Sequence, residues 1–271
     1  MIQFRMSVQI SRIDGPAVLA AARLAERAGL GTLWLGDPTE ERRDATGAVA
    51  LVTWAGAIAA TTNSLRIGLF VRNDSTFQPL RLAEDLAVLD HLSAGRIEIG
   101  FAASQADDWT KRAAAVLDAW DGWRGPDGEP IAIVPQPLQP CIPCLVAGPI
   151  ESIAALRHWP VRRLVRARDA TGTDATLRER RVLLLDHDTL RDCRTAGAAV
   201  ALRNALERIR ASAAATAAQE IMVPLDPAAP QDWTLAGAVI APALRCSPGD
   251  VAAVVNSASQ QASRPPSMAT D

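Results

Sequence analysis

The sequence predicts a single α/β chain whose eight strand–helix units close into a parallel (β/α)8 barrel, and three observations predict it. Short apolar runs alternate with helix-length stretches along the chain, an alternation that calls for parallel strands joined by crossovers. Eight such runs can be counted, the number at which a sheet of this kind closes. The 271 residues also match the roughly 250 that one such barrel consumes. An open doubly wound sheet shares the alternation, so the count of eight is what favours closure.

The elements follow in order. Arg5 to Ile10 reads as the first strand. Asp14-Gly15-Pro16 opens a helix, because Pro16 lacks only an N–H that the first turn leaves unpaired. That helix runs to Ala28 and stops at Gly29, a residue able to take the left-handed conformation. Thr32 to Leu35 is a short buried strand, Asp44 to Thr61 a helix, Leu65 to Val71 a strand and Gln78 to Leu92 an amphipathic helix. Ser93-Ala94-Gly95 closes it, and Arg96 to Ala102 returns as a strand. Asp107 to Trp120 is helical, whereas the Pro- and Gly-rich stretch Gly125 to Pro143 is loop. Cys144 to Ala147, Val161 to Val165, Val182 to Leu185 and Ile221 to Val223 complete the strands. Helices are expected over Glu151 to Trp159, Ala198 to Ala218 and Trp233 to Val239. The second half of the barrel is the less regular in pattern.

Composition bounds the rest. Hydrophobic residues make up 49% and charged residues 21%, enough apolar surface for a core without metal or disulfide staples. A formal net charge of -2 supplies no basic field, so neither nucleic acid nor a membrane is an expected partner. The amino terminus lacks a basic segment followed by an apolar run. Four cysteines in a chain this long do not form a disulfide framework, and the cytoplasm is the expected compartment. The uncharged stretch Ala45 to Leu65 includes Thr46, Thr53, Thr61, Thr62, Asn63 and Ser64, which suits a buried helix and turn better than a membrane span. Residues 1–256 are expected to form one domain. Residues 257–271 have no apolar period and are expected to be a disordered tail.

Several segments carry a resemblance. Ala25-Glu26-Arg27-Ala28-Gly29-Leu30, Leu33-Trp34-Leu35-Gly36-Asp37, Ala59 to Gly68, and above all Leu89-Asp90-His91-Leu92-Ser93-Ala94-Gly95-Arg96-Ile97-Glu98-Ile99-Gly100 resemble luciferase-like monooxygenases and deazaflavin-dependent oxidoreductases. The likeness is good over about residues 15 to 104 and weaker beyond. It implies a flavin-dependent barrel enzyme using FMN or a deazaflavin on a small organic substrate. It also implies a flavin ring lying against the end of the third strand, across a non-proline cis peptide near Phe70-Val71. The cofactor-binding positions it implies are Phe70, Val71, Asn73, Ala102, Ser104 and Gly148. Asp37 and Asn73 are the polar rim residues taken as catalytic candidates.

Departures from that pattern bear on the chemistry. Pro38 and Arg42 stand where the deazaflavin branch commonly has histidine and tryptophan, and Gln105 stands where it has a glutamate. A neutral amide cannot take up a proton as a carboxylate does. Pro149 and Ile150 replace the small serines that usually open the helix after the fifth strand, and Pro149 removes an N–H that could cradle a phosphate. A catalytically degenerate barrel, serving as a flavin-binding or dimerisation protein, is therefore the alternative reading.

Other constellations read as structural. Cys141-Ile142-Pro143-Cys144 has half the ligands of a zinc site and no second pair at matching spacing, so no metal is expected. Asp186-His187-Asp188-Thr189 reads as a turn, with Asp188 or Thr189 as cap. His91 and His158 fall near helix ends, Trp109, Trp120 and Trp123 read as packing or lid residues, and Arg178 to Arg181 reads as a solvated helix end. The Asp44 to Thr61 helix is apolar nearly all round. With small residues at Ala48, Ala55, Gly56, Ala57 and Ala59, it is expected to form a homodimer interface, as in the resembling proteins.

Overall fold

The structure is a computed structural model that describes residues 5–10, 15–36, 48–72, 78–102, 109–122, 127–130, 132–148, 156, 159–167, 181–186, 189, 193, 199–227 and 229–246. Its strands are β1 (Arg5–Ile10), β2 (Thr32–Leu35), β3 (Arg66–Arg72), β4 (Ile97–Ala102), β5 (Cys144–Ala147), β6 (Val161–Arg166), β7 (Arg181–Leu184) and β8 (Ala218–Pro224). Each pairs in parallel with the next, and β8 pairs in parallel with β1, so the sheet closes. Among the described residues the helices are α1 (Gly15–Arg27), α2 (Ala48–Thr61), α3 (Pro79–Leu92), α4 (Trp109–Asp118) and α5 (Ala199–Ala215). A last helix, α6, covers 230–245 and is π-helical over Leu235–Ile240.

Alternation along the strands sorts side chains into two layers. Outward residues such as Val8, Leu33, Ile67, Ile99, Val146 and Val223 pack under the helices. Inward residues form a separate column of Trp34, Phe70, Leu145, Leu164, Val182, Leu184 and Met222. Two aromatics fill its centre, with ring centroids 4.7 Å apart. They fit because the neighbouring strand offers no side chain beneath them. A Cβ on Gly68 would lie 2.3 Å from the Trp34 ring, and one on Gly100 would lie 2.4 Å from the Phe70 ring. The two glycines are thus sockets for the two rings, which is the close-packing requirement of the interior.

The amino-terminal end of the barrel is closed by ions. Glu98, with 1% of its side chain exposed, accepts hydrogen bonds from Arg5, Thr32, Arg66 and Arg162. Arg162 also donates to Glu220, which accepts from Ser7. The network therefore links β1, β2, β3, β4, β6 and β8. Burial pushes the Glu98 carboxyl up, but Arg162, Arg5 and Arg66 outweigh it and hold it at about 2. The same two carboxylates raise Arg162 against its own burial. These contacts satisfy charges that would otherwise be costly in the interior.

Two further anchors position the first half. Glu26 on α1 accepts from the backbone N–H groups of Asn63, Ser64 and Leu65 and from the Ser64 hydroxyl. Arg96 reaches the carbonyls of Ala59, Thr62 and Leu65 at the end of α2, where a cation meets the helix's negative pole.

Several expectations are corrected. The Phe70–Val71 bond is trans: among the described residues the cis bond is Val134-Pro135. β8 is longer than the expected Ile221 to Val223, and α5 ends at Ala215 rather than Ala218. The register shift between Arg181/Val182 and β8 makes Gln219 an extra, bulged residue, which breaks the period that marks a strand. Arg181 is not a solvated helix end. It opens β7, is 6% exposed, and donates to the Thr216 carbonyl. The capping carboxylate of the following turn is Asp186, which accepts from the Thr189 N–H (2.7 Å) and hydroxyl (2.6 Å). The tail 257–271, Trp123, His158 and Arg178 to Arg180 lie outside the described residues.

Candidate functional site

In a closed parallel barrel the strands' carboxyl ends are where loops can meet a ligand. At that end of this barrel the inward positions differ in access. Gln9, Phe70, Ala102, Leu184 and Pro224 are buried, whereas Ala147 and Arg166 are half-buried. Gly148, just past β5, and Asp186, just past β7, are half-buried as well. The described mouth is therefore accessible over β5, β6 and β7 and covered over β8 through β4.

Each of these residues is placed by a local cause. Gln9 donates from Nε2 to the Gly36 carbonyl at 2.6 Å, tying the end of β2 to β1. Gly36 takes φ +98°, and a Cβ there would meet the Phe70 carbonyl at 2.8 Å, so only glycine lets the chain leave β2 this close to β3. Arg166 pairs in register with Leu184. Leu164 and Leu184 both belong to the interior column, so Arg166 shares their face and lies one layer nearer the mouth. Asp186 follows on the next strand, its Oδ1 committed to Thr189.

The predicted site residues divide into three groups. Phe70 fills the interior directly below the mouth, and Ala102 lies beside it as the last inward residue of β4. Val71 belongs to the outer layer, so its side chain packs under the helices while its backbone runs past the mouth. Gly148 reaches the accessible side. Asp37, Asn73 and Ser104, together with Pro38, Gln105 and Pro149, lie outside the described residues.

Cys144 and Cys141 do not form a reactive pair. Cys144 is buried in β5, and burial pushes its thiol up to about 12, while Cys141 is exposed. Among the described residues no group of three or more His, Cys, Asp or Glu side chains could hold a metal ion. His91 is exposed on α3, its Nε2 2.8 Å from the Gln136 carbonyl. Trp109 is buried, and Trp120 donates to the Ala83 carbonyl; both are packing residues.

Sequence reasoning missed Arg166 and the ionic floor. The signal was available: single charged residues flanked by apolar ones in strand-length runs, as in Ile97-Glu98-Ile99 and Leu164-Val165-Arg166.

At this end Phe70 and Ala102 are buried, and Ala147, Gly148 and Arg166 are half-buried. A family model described as luciferase-like monooxygenase matches residues 3–125. The alkanal monooxygenase beta chain of Aliivibrio fischeri is 38% identical over 58 residues, which are 21% of this chain and 18% of that protein. The alignable sequence thus spans under a fifth of that relative's length. Among solved structures, an F420-dependent secondary alcohol dehydrogenase with an F420–acetone adduct superposes with a TM-score of 0.58 at 11% identity, over 82% of this chain and 93% of that one. The FMN complex of the oxygenating constituent of 3,6-diketocamphane monooxygenase, a type II Baeyer–Villiger enzyme from Pseudomonas putida, gives 0.58 at 11% identity, over 85% and 94%. At such identities the likeness to these structures is one of fold.

Proposed function

Taking the chain as a divergent member of the luciferase-like monooxygenase family, we propose that it is a flavin-dependent oxidoreductase acting on a small organic substrate, with FMN or the deazaflavin F420 as cofactor. The observation that carries this reading is the mouth itself. Small residues end β4 and β5 beside a buried aromatic, and among the described residues the half-buried ones at the mouth lie on the β5–β7 side.

When bound, the flavin supplies hydride transfer or oxygen activation. The protein's part is to bind it, orient it and exclude water. Phe70 forms the floor, Val71 contributes backbone at the end of β3, and Ala102 and Gly148 leave room for the ring. Asn73 and Ser104 follow β3 and β4 in the sequence and are the polar residues proposed to serve the same rim. Asp37 and Asn73 are the candidates for contacts to the reacting atoms. Gln105 cannot take up a proton as a carboxylate would, so this chain fits a reaction in which the flavin does most of the chemistry. The working protein is a cytoplasmic homodimer joined through the Asp44 to Thr61 helix. Within one chain, Ala55 and Ala59 of that helix already face the barrel, and Gly56 lies opposite Leu89 of α3. Val52 and Trp54 are half-buried and Thr53 is exposed, which leaves a surface for a second copy.

Equilibrium titration of the purified protein with FMN and with F420 tests the cofactor. Saturable binding of one of them, with steady-state turnover of its reduced form, supports the reading. Binding without turnover supports the second reading, a non-catalytic barrel, which Pro38, Gln105 and Pro149 favour. Failure to bind either refutes the enzyme and supports a cofactor-free dimerisation barrel. Light scattering at micromolar concentration tests the dimer, and the monomer mass would refute it. Among the described residues no helix is long and apolar enough to cross a membrane.

A further inference from the structure

Two N–H donors inside the barrel have no acceptor in the protein. Trp34 is fully buried in the apolar column, and its Nε1 makes no hydrogen bond. Arg162 pairs in register with Leu145 of that column and so faces inward as well. Its Nη1 donates to Glu220 and its Nη2 to Glu98, while its Nε is buried without a partner. The Arg162 guanidinium carbon lies 5.9 Å from the centroid of the Trp34 ring. Both donors therefore belong to one region, where the ionic floor meets the apolar column. A buried donor left unpaired forfeits the hydrogen bond it makes with water in the unfolded chain.

The chemistry of the two groups selects their partner. Indole Nε1–H and guanidinium Nε–H only donate, so whatever joins them must accept. A water accepts both but then needs acceptors for its own two hydrogens. The rest of the column is Phe70, Leu145, Leu164, Val182, Leu184 and Met222, whose side chains offer nothing stronger than a thioether. Both carboxylates of the floor already accept from arginine. Charge points the same way. The floor joins three cations, Arg5, Arg66 and Arg162, to two anions, Glu98 and Glu220. Arg162 is the most enclosed of the three arginines, with 13% of its side chain exposed against 37% for Arg5 and 26% for Arg66. A small monovalent anion accepts from every direction and supplies the missing charge.

We infer that the barrel interior binds a halide-sized anion between Trp34 Nε1 and Arg162 Nε. The anion completes the ionic floor and satisfies both donors. Trp34 pairs in register with Gly68, two residues before Phe70 on β3, so this site lies below the mouth and is independent of the cofactor.

The test is urea unfolding of wild type and Trp34→Phe at constant ionic strength, with sodium gluconate replaced stepwise by sodium chloride. Phenylalanine keeps an aromatic ring against Gly68 and removes the N–H. The wild-type unfolding constant is expected to fall about tenfold when chloride reaches ten times its dissociation constant, and that of Trp34→Phe to stay unchanged. A wild-type crystal grown in sodium bromide should show an anomalous peak within hydrogen-bond reach of Trp34 Nε1 and Arg162 Nε. An equal chloride response in both proteins, or none in wild type, overturns the inference. So does a bromide crystal with an ordered water and no anomalous signal at that position. If Trp34→Phe does not fold, the bromide peak alone decides.

Discussion

Replacing Glu98 by Gln removes one charge from the barrel floor and leaves its shape nearly intact. Among the described residues Arg162 then keeps Glu220 as its ionic partner, and Arg5 and Arg66 lose their common carboxylate. Breaking a buried network by removing one partner costs roughly 3–5 kcal/mol. An independent route gives a similar size. The carboxyl's fall from 4.5 to about 2 corresponds to about 3 kcal/mol of folding free energy at neutral pH. Because the folded state lowers this pKa, the contribution is complete above pH 4.5 and is lost as pH falls toward 2. Urea unfolding of wild type and Glu98→Gln at a series of pH values measures both effects. The variant should be less stable by about 3 kcal/mol at pH 7, equivalent to roughly 6–12 °C in Tm, and the gap should close toward pH 2. Removing Arg162 as well, in Glu98→Gln/Arg162→Met, should recover part of the loss by eliminating a stranded cation. A gap below 1 kcal/mol at pH 7, or one that persists unchanged at low pH, refutes the assignment of the floor as an ionic closure.

Three other outcomes follow from the packing and the local charges. Gly68→Ala forces a methyl group against the Trp34 ring and should cost about 1–3 kcal/mol by thermal melting, a loss that Gly68→Ala/Trp34→Leu should reduce. The Ser64, Asn63 and Leu65 backbone N–H groups hold the Glu26 carboxyl at about 2 against partial burial. Glu26→Gln should therefore cost stability above pH 4.5, roughly 1 kcal/mol after solvent screening, and nothing near pH 2. A thiol reagent at pH 8 should modify exposed Cys141 faster than Cys144, which should stay unmodified until the protein unfolds, although partial burial and Asp121 push the Cys141 thiol up as well; equal rates would contradict the burial of Cys144.

The barrel was legible where local and global signals agree. β1 to β4 carry mostly apolar runs, with Gly29, Gly36 and Gly95 as punctuation, and their limits fall within about two residues of the observed ones. Legibility fell at the ends of β7 and β8, where a charged residue opens or interrupts the apolar run. Glu220 and Arg181 interrupt the apolar pattern because each meets a partner from a distant strand or turn, and no window of sequence contains both members of such a pair. The bulge at Gln219 erased the alternation as well. The site was less legible than the fold. Phe70, Ala102 and Gly148 could be placed from strand ends, but Arg166 could be assigned to the mouth only once the register with β7 fixed its face.

The most direct measurement of the central claim is a crystal structure of the protein soaked with FMN. Ring density above Phe70, bordered by Ala102 and Gly148 at the carboxyl ends of β4 and β5, is the predicted result. Density seated at the opposite end of the barrel, or on the outer helices with the mouth empty at saturating FMN, would contradict it.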